Sequence, residues 1–425
     1  MIGSSSEVDP LSTFRPIVIA QGNYNIDYKS FKWGLDETAL TKRTGQVLDV
    51  FADILAEVVR GVQDCRNEGR DVKQGIRLDS QFAIKQFCRL AEVGALTYRD
   101  FFNEEARRFL DFRLATPVGS IARKAPTFIS AITPFPWEVL YAGDDTESPE
   151  AELFWGYRYA AGRIMDDRDI SEYVPEQNDT SSMLICLHHR LPGTYSSEWP
   201  AIQCVVRCAD TDELRLLGIQ ELGTKLTSRS LLEYLDKSGH NMLHFACHAR
   251  QSDDIDDELE ISLLRTEDLP HIRDEGFDAP LVSLSTKTFG LTPGAFQSNP
   301  MVFLNACQSG GGGDTLRNRY NLPARFIGRG AAAVIATACP VPDVFASEFA
   351  RIFYDFFLHG VEIKSGEPAV PAGMKRRAVT LGEALRLTRL HFWEHENNPL
   401  GLAYGLYSPA HYQVRQAPQQ GGTGS

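Results

Sequence analysis

Two apolar runs in this chain end in side chains capable of nucleophilic chemistry. Asn241-Met242-Leu243-His244-Phe245-Ala246-Cys247-His248 ends in an imidazole. Pro300-Met301-Val302-Phe303-Leu304-Asn305-Ala306-Cys307 ends in a thiol and runs on toward Gly310–Gly313. His248 and Cys307 lie 59 positions apart. Short apolar runs of this kind read as buried strands. In an open α/β sheet the ligand crevice lies beyond the carboxyl ends of the strands, so two parallel neighbours would deliver both side chains into it. There the imidazole takes the thiol proton and the thiolate attacks a carbonyl carbon. The glycines let the backbone turn sharply after the strand, leaving room for a peptide near the sulfur and for the Cys307 amide to face an oxyanion. Alternation along the strands sends Cys247 to the face opposite His248 and keeps Asn305 on the face of Cys307, about 7 Å away.

The elements that must hold these residues are legible as an α/β pattern. Strands are expected at Met183–His188, Ile202–Arg207, Met242–Cys247, Met301–Ala306 and Ala332–Thr337. Helices are expected at Ser228–Lys237, with Ser230 and Glu233 as a capping box, at Asp343–Leu358, with Asp343 as its cap, and at Leu381–Trp393. Apolar strands alternating with helices imply a mostly parallel sheet covered on both faces. A weak strand pair is expected in the long connection after residue 249, behind the acidic block Asp253–Glu258. Residues 1–125 read as a helical region, with stripes through Val47, Phe51, Ile54, Leu55, Val58 and Val62, then Ile84, Phe87, Cys88 and Ala91, then Tyr98, Phe101, Phe102, Ala106 and Phe109. Residues 126–414 form the sheet domain, and 415–425 read as a flexible tail.

Composition narrows the function. The 425 residues are 43% apolar and 23% charged, as expected of a globular protein. A net charge of −13 makes direct nucleic-acid binding through phosphate neutralisation a poor reading, and repels anionic membranes. No run of membrane-spanning length and no secretory signal is visible. Eight cysteines are too sparse for a disulfide framework, which fits a reducing cytoplasm.

Other chemistries fit less well. His244 and Cys247 make one H-x-x-C pair, but zinc needs four ligands and no second clean pair exists. No Lys-Ser or Lys-Thr follows Gly310–Gly313 as a phosphate loop requires. The acidic block lacks EF-hand spacing and reads as a solvated loop. Trp137 and Trp155 read as core aromatics. No metal and no cofactor is expected.

HFACHA and FLNACQSGG resemble the His and Cys motifs of the CHAT proteases, a branch of the caspase-like cysteine peptidases that includes separase relatives. The caspase signature runs Gln-Ala-Cys-x-Gly with its His about 50 residues upstream. Asn305-Ala306-Cys307-Gln308-Ser309-Gly310 is a variant of it. Phe135–Tyr141 resembles the entry segment of CHAT domains, Gly330–Asp343 the strand and Pro-x-Asp turn after the Cys motif, and Leu402–Tyr407 the closing strand. The resemblance covers about residues 130 to 412. It implies a caspase-like fold and a cysteine endopeptidase. His248 would be the base and Cys307 the nucleophile, with the backbone amides of Cys307 and Ala249 facing the oxyanion. Ala249 stands where relatives usually have Gly. By the same resemblance Asn305 helps line the pocket for the residue before the scissile bond. An uncharged substrate residue is expected there, unless Asp253 or Asp254 folds over to supply charge. The implied substrate is one specific protein partner, with the enzyme latent until an activating protein or ligand acts, in a setting of bacterial defence. The alternative is a catalytically weak caspase-like scaffold, a pseudo-protease in a signalling complex, against which the presence of both His248 and Cys307 argues.

Overall fold

The computed structural model describes residues 14–115, 125–164, 182–307 and 321–410, less 21–22, 27–28, 33, 36, 130–134, 192–196, 209–212, 223–225, 252–256, 273, 275 and 363–375. Three short strands come first: β1 (Phe14–Ala20), β2 (Asn23–Ile26) and β3 (Lys29–Lys32). β1, β2 and β3 pair antiparallel in sequence order. β4 (Ala125–Ile129) adds in parallel to β1, and β5 (Gly162–Ile164) in parallel to β4. The sequence reading expected a mainly helical region before residue 125; the helices are there, and the strands at its start are an addition. Segments such as NYNI and KSFK are too polar and too short to register as strands, and they are held as a meander on β1, which alone of the three pairs with a strand far along the chain, β4.

Helices α1 (Glu37–Asn67), α2 (Ser80–Phe101) and α3 (Glu104–Leu114) follow β3. Asp79 caps α2 by accepting from the Gln81 and Phe82 amides, and Asn103 caps α3 by accepting from Ala106. That second cap divides the single stripe expected from Tyr98 to Phe109. In α1, Val47, Phe51, Ile54, Val58 and Val62 are buried as expected; in α2, Ile84 points to solvent. These helices share one apolar core with the rest of the molecule. Phe87 stacks on Trp393 with ring centroids 3.8 Å apart, Phe101 sits edge-on to Trp137 at 5.4 Å, and Asn398 Nδ2 donates to the Ile76 carbonyl at 2.8 Å.

Gly94 lets α2 lie directly on the entry segment, because a Cβ there would fall 2.1 Å from the Val139 carbonyl oxygen. Gly94→Ala is therefore expected to destabilise the fold by about 1–3 kcal/mol, as overpacked sites do, despite the higher helix propensity of alanine. The denaturant midpoint measures it; an unchanged or raised midpoint would mean that α2 is not docked this way.

The second sheet carries the site. Its strands are β6 (Ser182–Leu187), β7 (Glu213–Leu216), β8 (Met242–Gln251), β9 (Asp257–Ser262), β10 (Leu281–Ser285), β11 (Met301–Cys307), β12 (Ala333–Thr337) and, after the short pair β13 (Val361–Glu362) and β14 (Arg376–Arg377), β15 (Tyr404–Tyr407). The order is β7-β6-β8-β11-β12-β15, parallel throughout except for β15. β8 outlasts β6. Its first half pairs with β6 up to Leu187↔Ala246, and its second half pairs antiparallel with β9 from His248↔Glu260. β10 continues that ribbon.

Alternating side chains sort cleanly between the two faces. Met183, Ile185, Met242, Ala246, Met301, Phe303 and Ile335 join the large core. Leu184, Leu243, Phe245, Cys247, Val302, Leu304 and Val334 join a second core on the other face. Helices Trp199–Cys208, Asp343–His359 and Leu381–Glu396 cover the first face; Ser228–Lys237 and Asn321–Gly328 cover the second. The α/β class read from the sequence is the one observed.

Three local readings are corrected. Ile202–Arg207, expected as a strand, lies in helix Trp199–Cys208. Its β-branched residues favour a strand locally, but Trp199, Ile202 and Val206 are buried at helical spacing, and packing overrides propensity. The capping box of helix Ser228–Lys237 is Thr227 with Ser230. Pro342 occupies the N-cap of helix Asp343–His359, and the Asp343 carboxylate accepts from the Val344 amide at 2.8 Å in its first turn. Among the described residues no helix is long and apolar enough to cross a membrane.

Candidate active site

β8 and β11 are parallel neighbours in register from Met301↔Met242 to Cys307↔His248. The two sequence-predicted residues therefore stand side by side at the carboxyl ends of adjacent strands. Parity puts His248 on the first face, beyond Ala246. His248 is half-buried. Its other cross-strand neighbour is Glu260 on β9. Directly opposed residues of an antiparallel pair point to one face, so Glu260 shares the face of His248.

Sequence reasoning missed the turn that closes this corner. β6 stops at Leu187, and the His188 amide donates to the Ala246 carbonyl at 2.9 Å. The His188 ring packs edge-on against His248, centroids 4.5 Å apart. His189 stacks beside His188 at 5.2 Å, with Nδ1 held 2.6 Å from Ser262 Oγ. Burial, then the adjacent Arg190 charge, lowers the His189 pKa, so its ring is neutral near pH 7. A His-His pair at the end of an expected strand was the available signal, the same placement that singled out His248.

A second polar network is sealed beneath the strand ends. Glu198, just ahead of helix Trp199–Cys208, is fully buried. Its Oε1 faces His244 Nε2 at 2.9 Å and accepts from Asn305 Nδ2 at 2.6 Å, and its Oε2 accepts from Ser347 Oγ at 3.3 Å. Asn305 Nδ2 also donates to the Ala346 carbonyl at 2.9 Å, and Tyr404 Oη donates to Asn305 Oδ1 at 2.8 Å. His244 Nδ1 lies 3.1 Å from Tyr354 Oη. Burial, reinforced by the Glu198 charge, raises the Tyr354 pKa well above its ordinary value, so the phenol stays neutral.

Asn305 is thus held inside the first face, two residues before Cys307. Its side chain is fully buried with both ends of the amide engaged, so it anchors the end of β11 to Glu198 and Tyr404. Ala249 lies within the β8–β9 ladder opposite Leu259. Asp253, Asp254 and the Gly310–Gly313 turn lie outside the described residues.

Cys247 is buried on the second face, where burial pushes its thiol pKa up, and His244 faces Glu198 on the first. The two cannot share a ligand, and among the described residues no group of three or more His, Cys, Asp or Glu side chains is arranged to hold a metal ion. Cys247→Ser is expected to lower stability by about 1–3 kcal/mol through burial of a hydroxyl in an apolar core, while leaving site chemistry in place. Thermal melts with a matched activity assay measure this; a stable but inactive variant would put Cys247 on the wrong face. The entry-segment Glu138 is likewise structural. It pairs with Arg163 and Arg389 in the core, where burial lowers the Arg389 pKa to about 10.

Known proteins can be set beside this geometry. The chain is 26% identical over 264 residues to a probable protease from Vitiosangium sp. (strain GDMCC 1.1324), a match covering 59% of this chain and 28% of that relative's length. Similar solved structures include the Arg-specific cysteine proteinase gingipain R, with a TM-score of 0.45, 12% identity and coverage of 77% of this chain and 71% of that one. The Saccharomyces cerevisiae separase–securin complex gives a TM-score of 0.46 and 12% identity, covering 93% of this chain and 30% of that one. The CHAT domain family model matches residues 130–394, more than half of the chain, and the chain therefore belongs to the CHAT-domain family.

Proposed function

We propose that this chain is a cysteine endopeptidase in which His248 and Cys307 act as a dyad on a specific protein partner. The observation that carries the reading is the Cys307↔His248 register at the carboxyl ends of two parallel strands. His248 takes the thiol proton, and the sulfur attacks the carbonyl carbon of the scissile bond. The negative charge that develops on the carbonyl oxygen is met by the amides of Cys307 and Ala249. The C–N bond breaks as the imidazolium returns its proton to the leaving amine, leaving a thioester on Cys307. Water, deprotonated by His248, then attacks the thioester; the carboxylic acid leaves and the thiol is restored.

The same reading includes latency, release by an activating protein or ligand, and a setting in bacterial defence. The protein encoded beside this one is the first substrate to test. Incubation of the purified chain with it should give cleavage at one site that Cys307→Ala removes. Absence of any Cys307-dependent cleavage overturns the reading, and rapid unaided digestion of unrelated unfolded proteins overturns its specificity and latency. With the Asn305 amide engaged inside the core, a preference for Arg or Lys before the scissile bond in a peptide library would assign the pocket charge to Asp253 or Asp254.

A further inference from the structure

We propose that His188 and Glu260 are positioning residues of the dyad, a carboxylate–imidazole pair that fixes the His248 ring and favours its protonated form beside the Cys307 thiolate. This rests on the dyad reading above and adds two residues to it.

His188 is clamped from three sides. Its amide donates to Ala246, two residues before His248 on β8. Its Nδ1 accepts from the Arg190 amide at 3.1 Å. A backbone N–H can only donate, so Nδ1 carries the lone pair and the proton of the neutral ring sits on Nε2. Nε2 lies 3.5 Å from Glu260 Oε2. Protonating His188 would remove the Nδ1 acceptor, so the turn selects the neutral ring in one tautomer. The neutral ring then packs edge-on against His248 at 4.5 Å. A neutral neighbour lets His248 carry the positive charge, whereas a second imidazolium at that distance would oppose it. Glu260 stands across the ladder from His248 on the same face, its carboxylate largely shielded from water, where it favours a cation. Among the described residues, the titratable groups set against His188 are Glu260 from β9, His248 from β8 and His189 on its own turn. Asp278 faces His189 and Arg190 at 3.5 Å.

The test is the pH dependence of Cys307 alkylation by iodoacetamide, read by mass spectrometry in wild type, His248→Ala, His188→Phe and Glu260→Gln. His188→Phe keeps a ring against His248 and loses both nitrogen contacts. Glu260→Gln keeps the shape and loses the charge. In both, alkylation at pH 6 is expected to fall by about tenfold, because less imidazolium supports the thiolate, with less than about twofold change at pH 9, where the thiol ionises without help. Unchanged rates at pH 6, or equal losses at both pH values, overturn the proposal; the second pattern marks a merely structural role. If His188→Phe fails to fold, Glu260→Gln decides alone. Wild-type alkylation that is indifferent to His248→Ala overturns the dyad itself, whereas dependence on His248 but not on His188 or Glu260 overturns only the positioning pair.

Discussion

Alanine at Cys307 is expected to abolish peptide-bond cleavage, with rates falling by roughly 10³-fold or more, and alanine at His248 should lose nearly as much. The reason is chemical. Without the sulfur no thioester forms, and without the imidazole the thiol at neutral pH is mostly protonated and the leaving amine receives no proton. Members of a dyad act as one unit, so the double variant should be no slower than the worse single one. Stability should change little in Cys307→Ala, since the substitution removes one atom at a strand end. Product formation by mass spectrometry, with a thermal melt on each variant, reads both quantities. Cleavage persisting in either single variant would move the chemistry elsewhere, and fully additive losses would mean that the two groups act separately.

The second large effect is expected at Glu198, in stability first and in rate through it. Glu198→Ala would leave the His244 imidazole, one Asn305 amide contact and the Ser347 hydroxyl without their shared acceptor, deep in the first face. Breaking a buried charged network from one side typically costs about 3–5 kcal/mol. Glu198→Gln keeps the volume and one carbonyl oxygen, so a smaller loss of about 1–2 kcal/mol is expected. Asn305 is two residues before Cys307 on β11, and His244 four before His248 on β8. Loosening the network therefore disturbs both strand ends together, and a misplacement of about 1 Å at reacting groups can cost 10²-fold in rate. Chemical denaturation of the two variants measures the first effect. Loss below about 1 kcal/mol in Glu198→Ala would mean that the site collapses onto another acceptor. The same network revises what Asn305→Asp should do. A carboxylate there would meet that of Glu198 across a 2.6 Å contact, so repulsion and unfolding are expected rather than a changed substrate preference.

The adjacent strand ends at His248 and Cys307 were legible because both residues follow runs whose apolar character survives any local reading. The strands of β6, β8, β11 and β12 are buried on both faces, and helices Asp343–His359 and Leu381–Glu396 carry long stripes. The rest depended on partners distant in sequence. Glu198 and Asn305 are 107 residues apart, and Tyr404 reaches Asn305 across 99. His188 and Glu260 meet only because β8 exchanges β6 for β9 at His248. Helix Trp199–Cys208 was hidden by its β-branched run, and β2 and β3 by their short polar runs. The burial of the Asn305 amide was hidden for the same reason. Alternation gives the face of a side chain but not the acceptors waiting on that face.

The most direct measurement is covalent capture by a peptidyl electrophile, with the modified thiol mapped by mass spectrometry. Cys65, Cys186, Cys247 and Cys339 are buried, and burial raises the pKa of Cys88, Cys186 and Cys247, so these thiols should be slow. Among the cysteines whose side chains are described, Cys204, on helix Trp199–Cys208, is exposed and is the natural competitor. The dyad reading predicts one equivalent of label on Cys307, formed far faster than on Cys204 and lost in His248→Ala. Label accumulating on Cys204 instead, or on Cys307 at a rate that His248→Ala leaves unchanged, would contradict it.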